Sequence, residues 1–304
     1  MIKTHTHKKI TWIDLESPTH EEVRSLMQEY KLNPFIANEL IAPTFKSSVE
    51  AFKDSIYLIL HFPAFKHSHS GAFKQEVDFV IGKDFIITTH YDTIDQLHKF
   101  SKIYEVDSIL EKSDIGDSAD LLFVYMLQKL YKSLTHELEF IQDSIMKIEE
   151  KIFLGEEKKM VREISKIGRD LLNFNQAVES HQEILKTLDK AGHEFFGDEF
   201  KKNLKVVIND YYRINKTLRN NRDLTRELRE TNDSLLTTKQ NEIMKFFTII
   251  AFITFPLSLL ASIFGMNTVI MPIVGLKGDF WIIISVMVIA TIFMILYSRH
   301  KKWL

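Results

Sequence analysis

The run Phe264-Gly265-Met266-Asn267 sets a neutral amide oxygen at the end of a long uncharged stretch. Glycine readily ends a helix in a left-handed conformation, and an asparagine amide offers an acceptor without charge. Small divalent cations give up their water reluctantly and hold it in tight octahedral geometry. Acceptors that hydrogen-bond those first-shell waters are therefore a less costly selector than ligands that strip them. In most proteins Gly-Met-Asn is a helix cap and loop, but here it lies between two membrane-length stretches. That placement marks Gly265, Met266 and Asn267 as a selectivity motif. Upstream, Asn241, Met244, Phe247 or Thr248, Ala251, Phe255, Ser258 and Ser262 recur every three or four residues, which on a helix is one stripe. They are the pore-lining candidates, because rings of apolar side chains gate by excluding water and Asn or Ser rings supply oxygen. The competing reading of the stripe is plain helix packing.

Other chemistries find less support. The chain has no cysteine, which removes disulfides, thiolate metal sites and cysteine nucleophiles and fits a reducing compartment. With 39 Lys and Arg against 41 Asp and Glu, the net charge is −2, and no basic excess points to nucleic acid. No Ser/His/Asp constellation, paired-carboxylate pattern or Walker-type glycine loop stands out, so neither an enzyme nor an organic cofactor is expected. His5 with His7, and His67 with His69, have the alternate spacing that faces one side of an extended segment. Both pairs lie in polar stretches read as loops, and transition-metal binding there is a minor reading.

The elements that must position the motif are two membrane spans. Residues 246–264 carry no charge, and at about 1.5 Å per residue they cover roughly the 30 Å hydrocarbon thickness of a bilayer. Residues 280–297 are equally uncharged, with Trp281 and Tyr297 at their two ends. Lys239 and Lys245 precede the first span and Arg299, His300, Lys301 and Lys302 follow the second, while the loop between holds only Lys277 beside Asp279. This cation bias predicts both termini in the cytoplasm. The N-terminal residues lack the apolar core and cleavage site of a secretory signal, which agrees. Pro256 removes one backbone donor within the first span and predicts a bend, not a break.

Before the spans the chain reads as a water-facing protein. Trp12-Ile13-Asp14-Leu15, then Ser17-Pro18-Thr19 and Glu21-Glu22, predict a strand ending at a capped helix over 21–30. Strand-like runs follow at 55–62, 77–81 and 85–90, bounded by turn signals such as Gly71 and Gly82. Between about 118 and 190 the apolar spacing becomes helical, with a reversal expected at Gly155. From near Phe200 no Gly or Pro interrupts the chain until Pro256, which predicts one helix about 100 Å long running into the first span. So long and polar a helix suggests a symmetric bundle of copies.

Taken together, Phe264-Gly265-Met266-Asn267 with Met271-Pro272, the second span close behind, and the tail Lys301-Lys302-Trp303-Leu304 resemble the CorA family of Mg²⁺ channels. Trp12-Ile13-Asp14-Leu15, Leu32-Asn33-Pro34 and Asn38-Glu39-Leu40 also look like that family's cytoplasmic domain, so the resemblance covers nearly the whole chain. It implies a homopentameric funnel, with five copies of Asn267 in a ring. By resemblance Asn241 is a cytoplasmic-side pore asparagine, Met244 and Phe247 form the hydrophobic constriction, and Ser258 and Ser262 face the pore. It also implies cytoplasmic divalent sites that hold the channel shut, with Mg²⁺ as regulatory ion and Glu39 as one ligand. At the position of the expected stalk partner stands Val206, with Asp210 the nearest carboxylate and Asp223 and Glu230 as further stalk candidates. The outer loop departs from the family as well, since residues 268–270, Ile273 and Val274 are uncharged.

The expected protein is thus an α+β membrane protein in three parts. A cytoplasmic α/β domain spans 1–115, and a helical hairpin and stalk helix span 116–243. A transmembrane domain spans 244–304, with its spans at about 244–264 and 280–298 and an outer loop over 265–279. It would sit in the inner membrane and pass hydrated Mg²⁺ inward, with divalent cations, the bilayer and copies of itself as partners. The alternatives are a Co²⁺, Ni²⁺ or Zn²⁺ transporter of the same architecture, and a non-conducting membrane-anchored coiled-coil scaffold.

Overall fold

The computed structural model describes residues 2–7, 9–64, 74–91, 118–266, 273–275 and 277–301. His67, His69, Gly71, Asn267, Met271, Pro272 and Lys302 to Leu304, all invoked above, lie outside them, as does the side chain of His7. The chain divides into two compact units, Met1–Arg229 and Glu230–Leu304.

The first unit is built on a six-stranded sheet in the order β1-β2-β6-β5-β4-β3. The strands are β1 (Ile2–His7), β2 (Ile10–Glu16), β3 (Ser48–Ala51), β4 (Ile56–Pro63), β5 (Lys74–Ile81) and β6 (Phe85–His90). All neighbours are antiparallel except β2 and β6, which run parallel. Every residue of β4 is buried, so this strand shows a continuous apolar run, Ile56-Tyr57-Leu58-Ile59-Leu60, instead of alternation. Both faces of the sheet must then be covered.

One face carries Ile13, Leu15, Tyr57, Ile59, Val80 and Ile87 against helices α1 (His20–Glu29) and α2 (Pro34–Glu39). Helix α1 begins at Thr19 with a capping box: the Glu22 amide donates to the Thr19 hydroxyl at 3.3 Å, and the Thr19 amide donates to the Glu22 carboxylate at 2.9 Å. The other face meets the long helices α3 (Ala119–Phe153), α4 (Glu157–Val178), α5 (His181–Phe196) and α6 (Asp198–Phe264). Phe79 packs edge-on against Phe123 with centroids 5.3 Å apart, and Phe62 meets His181 at 5.4 Å. Each fully buried aromatic or leucine of this kind stabilises the fold by about 1.5–3 kcal/mol relative to exposure.

The reversal expected at Gly155 is present, with φ of 91° between α3 and α4. The strand and helix positions follow the sequence reading within a few residues. Four features were not foreseen: strand β1, helix α2, strand β3, and the break that separates α4 from α5 at Glu179 and Ser180. His5 and His7 lie in strand β1, paired to β2, and not in a loop. The His5 ring stacks on Trp12 at 4.9 Å.

Buried polar groups are tied into the sheet. On the face covered by the long helices, the Trp12 indole N–H donates to Thr88 at 3.0 Å and the Thr88 hydroxyl donates to Asp14 at 2.6 Å, with His90 3.4 Å from the same carboxylate. Burial alone would push Asp14 up, but His90, Thr88 and Lys3 together outweigh it and hold its carboxyl below the usual range. On the other face the His61 Nε2 looks at two acceptors, Glu76 at 3.1 Å and the Thr44 carbonyl at 3.0 Å, so it carries the proton and Nδ1 accepts from Ser47 at 2.9 Å. Burial and the neighbouring Glu76 push the Asp78 carboxyl well up, and the Tyr57 hydroxyl donates to it at 3.2 Å.

His181 joins sheet and helices. Its Nε2 donates to the His61 carbonyl and its Nδ1 accepts from the Tyr131 hydroxyl, both at 2.8 Å. Complete burial pushes its pKa from 6.5 down to about 4, so the folded protein holds it neutral. A depressed histidine contributes stability that is fully present above pH 6.5 and is lost as pH falls toward 4, about 3 kcal/mol in all. Thermal unfolding of the detergent-solubilised protein should therefore show a fall in Tm across that window, and His181→Gln should flatten it. Gly192 on α5 is a second sensitive point, because a Cβ there would overlap the Phe200 ring of α6. Gly192→Ala is expected to cost about 1–3 kcal/mol, read as a lower Tm at every pH.

Candidate functional site

The second unit contains the end of α6 and helix α7 (Asp279–His300). Both are long and apolar enough to span a membrane, and none of the most apolar window of α6 and 6% of that of α7 is buried within the chain. A helix apolar on every side and not buried by its own chain needs a lipid or partner environment. Helix α6 is continuous through Pro256, so the proline does not break it.

The two helices touch along a narrow seam. Ile249 on α6 and Met294 and Ser298 on α7 are the buried side chains here among the described residues. The Phe252 and Tyr297 rings stack at 6.3 Å. At about 100° per residue, the candidate stripe lies roughly half a turn round α6 from Ile249. Met244, Phe247 and Phe255 are 58%, 59% and 72% exposed. Asn241, Thr248, Ser258 and Ser262 are exposed and Ala251 is half-buried. The stripe is therefore not the surface on which α6 packs against α7 within one chain. Phe247 and Thr248 straddle its midline. The Thr248 hydroxyl donates to the Met244 carbonyl one turn earlier, at 2.8 Å.

At the end of the stripe the role of Gly265 differs from expectation. Its φ is not positive; its amide continues the helical pattern by donating to the Ala261 carbonyl at 3.0 Å, and Met266 donates to Ile263 at 3.3 Å. Space is tight instead: a Cβ would lie 3.1 Å from the Ala261 carbonyl oxygen, which would have to give by a few tenths of an ångström. Met266 is 58% exposed, and Asn267 follows directly, outside the described residues. On the far side of the loop, Gly275 and Gly278 have φ of 98° and 87°. Asp279 accepts from the Gly275 amide at 3.0 Å and from the Phe280 amide at 2.7 Å, which fixes the start of α7.

The candidate regulatory acids stand apart. Glu39 is the last residue of α2, and its carbonyl accepts from the Tyr91 hydroxyl at 3.3 Å. Asp210 lines a groove of about 560 Å³ together with Val206, Lys129, Lys132, His136 and Arg213. Arg213 donates to Asp210 at 3.1 Å. Asp223 is 3.7 Å from Arg226, and Glu230 is exposed. Among the described residues no group of three His, Asp or Glu side chains is placed to hold a metal ion. The cations around Asp210 and Asp223 escaped the sequence reading, although the three-residue spacing of Asp210 to Arg213 and of Asp223 to Arg226 is a legible ion-pair signal.

Comparison with known proteins agrees with this arrangement. The sequence matches the family described as CorA-like Mg²⁺ transporter protein over residues 7–300. It is 23% identical to the cobalt/magnesium transport protein CorA of Thermotoga maritima, covering 97% of this chain and 83% of that protein. It is 24% identical to the magnesium transport protein CorA of Wolinella succinogenes, covering 99% and 93%. In fold it is similar to the complete CorA magnesium transporter of Methanocaldococcus jannaschii, with a TM-score of 0.84 at 18% identity over 99% of this chain and 93% of that one. The full-length CmaX protein gives a TM-score of 0.75 at 14% identity, over 97% and 89%. With a sheet domain, a helix that runs on into an apolar span, a second span behind it and a family match over nearly its whole length, the chain belongs to the CorA-like Mg²⁺ transporter family.

Proposed function

We propose that the chain is one subunit of an inner-membrane channel that passes hydrated divalent cations, Mg²⁺ first, into the cytoplasm. The observation that carries this reading is the stripe from Asn241 to Ser262, open on α6, turned away from α7 and ending at Gly265-Met266-Asn267. Copies of α6 around an axis, five by resemblance to the family, would place Asn241, Thr248, Ser258 and Ser262 as oxygen-bearing rings. Met244 and Phe247 would form the apolar constriction between water-filled segments. Asn267 would present neutral acceptors to the water shell of the ion, which a cation of high dehydration cost requires.

An inside-negative potential contributes about 4.6 kcal/mol per 100 mV for a doubly charged ion, so inward flux needs no ATP. The cations Arg299 and His300 in the last turn of α7, with Lys301 and Lys302 beyond it, support cytoplasmic termini. A second cargo, Co²⁺, is favoured by one specific observation: the Thermotoga maritima and Methanocaldococcus jannaschii relatives are both named cobalt/magnesium transport proteins. Mg²⁺ as a regulatory ion at Glu39 and Asp210 has less support, since Arg213 already occupies Asp210.

Mg²⁺ influx into proteoliposomes under an imposed inside-negative potential tests the reading. Wild type is expected to conduct and Asn267→Ala to lose at least tenfold of the flux with the oligomer intact; equal flux in the two would remove Asn267 from the selector. Gly265→Ala should lose flux as well, because the added methyl presses on the Ala261 carbonyl at the turn that leads to Asn267. Titration with Co²⁺, Ni²⁺ and Zn²⁺ as competitors ranks the cargo, and no flux of any divalent ion would favour a scaffold.

A further inference from the structure

The groove between α4 and α6 carries positive charge that its own lining does not balance. Arg219, Arg222, Arg226 and Arg229 are spaced three, four and three residues apart, which makes one stripe of α6. Arg169 of α4 lines the same groove, whose volume is about 650 Å³. Asp223 is the one acid among the lining residues, so five guanidinium groups face a single carboxylate. Even that pair is long, with Arg226 Nη2 3.7 Å from Asp223 Oδ1. Arg169 donates to the Ser165 hydroxyl at 3.3 Å, and Arg229 lies over Gly168, where a Cβ would stand 3.4 Å from its Nη2.

Like charges at three- and four-residue spacing weaken the helix that carries them, so helix stability does not account for the stripe. All five cations are arginines, whose planar forks grip phosphate oxygens in pairs where a lysine offers a point charge. The groove is concave, its volume is that of a small-molecule site, and the small residues Ser165 and Gly168 leave the guanidinium groups room. We propose that it binds a small polyphosphate anion, the class that includes inorganic tripolyphosphate and nucleoside triphosphates. This inference is independent of conduction and concerns only the first compact unit.

Calorimetric titration of inorganic tripolyphosphate into the full-length protein in detergent, in Mg²⁺-free buffer, tests it without reference to flux. Saturable binding is expected, weakening as salt rises. The double variant Arg222→Glu, Arg226→Glu should bind at least tenfold more weakly. Asp223→Asn removes the one repelling carboxylate while leaving a side chain of the same shape, and should bind several-fold more tightly than wild type. Absence of saturable binding to wild type would overturn the proposal, as would equal affinity of wild type and the double variant or weaker binding by Asp223→Asn. Size-exclusion chromatography with light scattering on the same samples separates the competing source of negative charge. A double variant that falls apart into single chains, beside a wild type that takes up no tripolyphosphate, would assign the groove to acidic residues of a second copy and sink the polyphosphate reading. Replacing tripolyphosphate by vesicles with phosphate-bearing lipid headgroups gives the last arm: capture by vesicles without binding of the free anion would also overturn it.

Discussion

One helix of 67 residues has to satisfy two solvents in succession, and this constraint governs the rest of the architecture. Within hydrocarbon every backbone amide must find its partner inside the chain, which a helix alone provides for a single segment. Outside it, the same helix needs an apolar surface to lean on, and Phe200, Leu204, Val207, Tyr211, Ile214 and Leu218 supply it at three- and four-residue intervals, all buried. The sheet, with β4 buried on both faces, gives those helices a rigid support, and the His181 bridge holds the two layers in register.

The polar groups inside the first unit follow a different logic from those along the stripe. Asp14, His61, Glu76 and His181 are buried and each has a named partner at hydrogen-bond distance, so they specify packing. Asn241, Ser258 and Ser262 are exposed on a surface the rest of the chain leaves open. Polar side chains on an otherwise apolar segment stay stable only beside water or other polar groups. Burial and partnership thus separate the residues that hold the fold from those on a surface that the rest of the chain leaves open.

The sequence was informative where a signal is local. Charge-free stretches, the Thr19 cap before Glu21 and Glu22, the Gly155 reversal and the unbroken run after Phe200 each depend on near neighbours, and the structure places them as read. It was uninformative where the cause is long-range. Strand β3 is only four residues long and exists through its pairing with β4, and β1 reads as a polar tail until its partner β2 is known. The break between α4 and α5 has neither Gly nor Pro to announce it. For Gly265 the residue was legible but the reason was not: sequence suggests a left-handed backbone angle, whereas the structure keeps the helical pattern there with the Ala261 carbonyl 3.1 Å from where a Cβ would stand. The stripe was readable from periodicity, but that it lies away from α7 depends on which face α7 occupies.

The hydroxyl of Thr248 returns its hydrogen to the Met244 carbonyl. Its proton is thereby taken up inside the helix, and the group can offer its surroundings only lone pairs. An alcohol that normally both gives and receives becomes a one-way acceptor, much like an ether oxygen. To a neighbouring group this oxygen is an acceptor alone, open to a cation or to the hydrogen of a water molecule and closed to an anion that needs a donor. A neutral side chain can in this way favour one sign of charge over the other without being ionised.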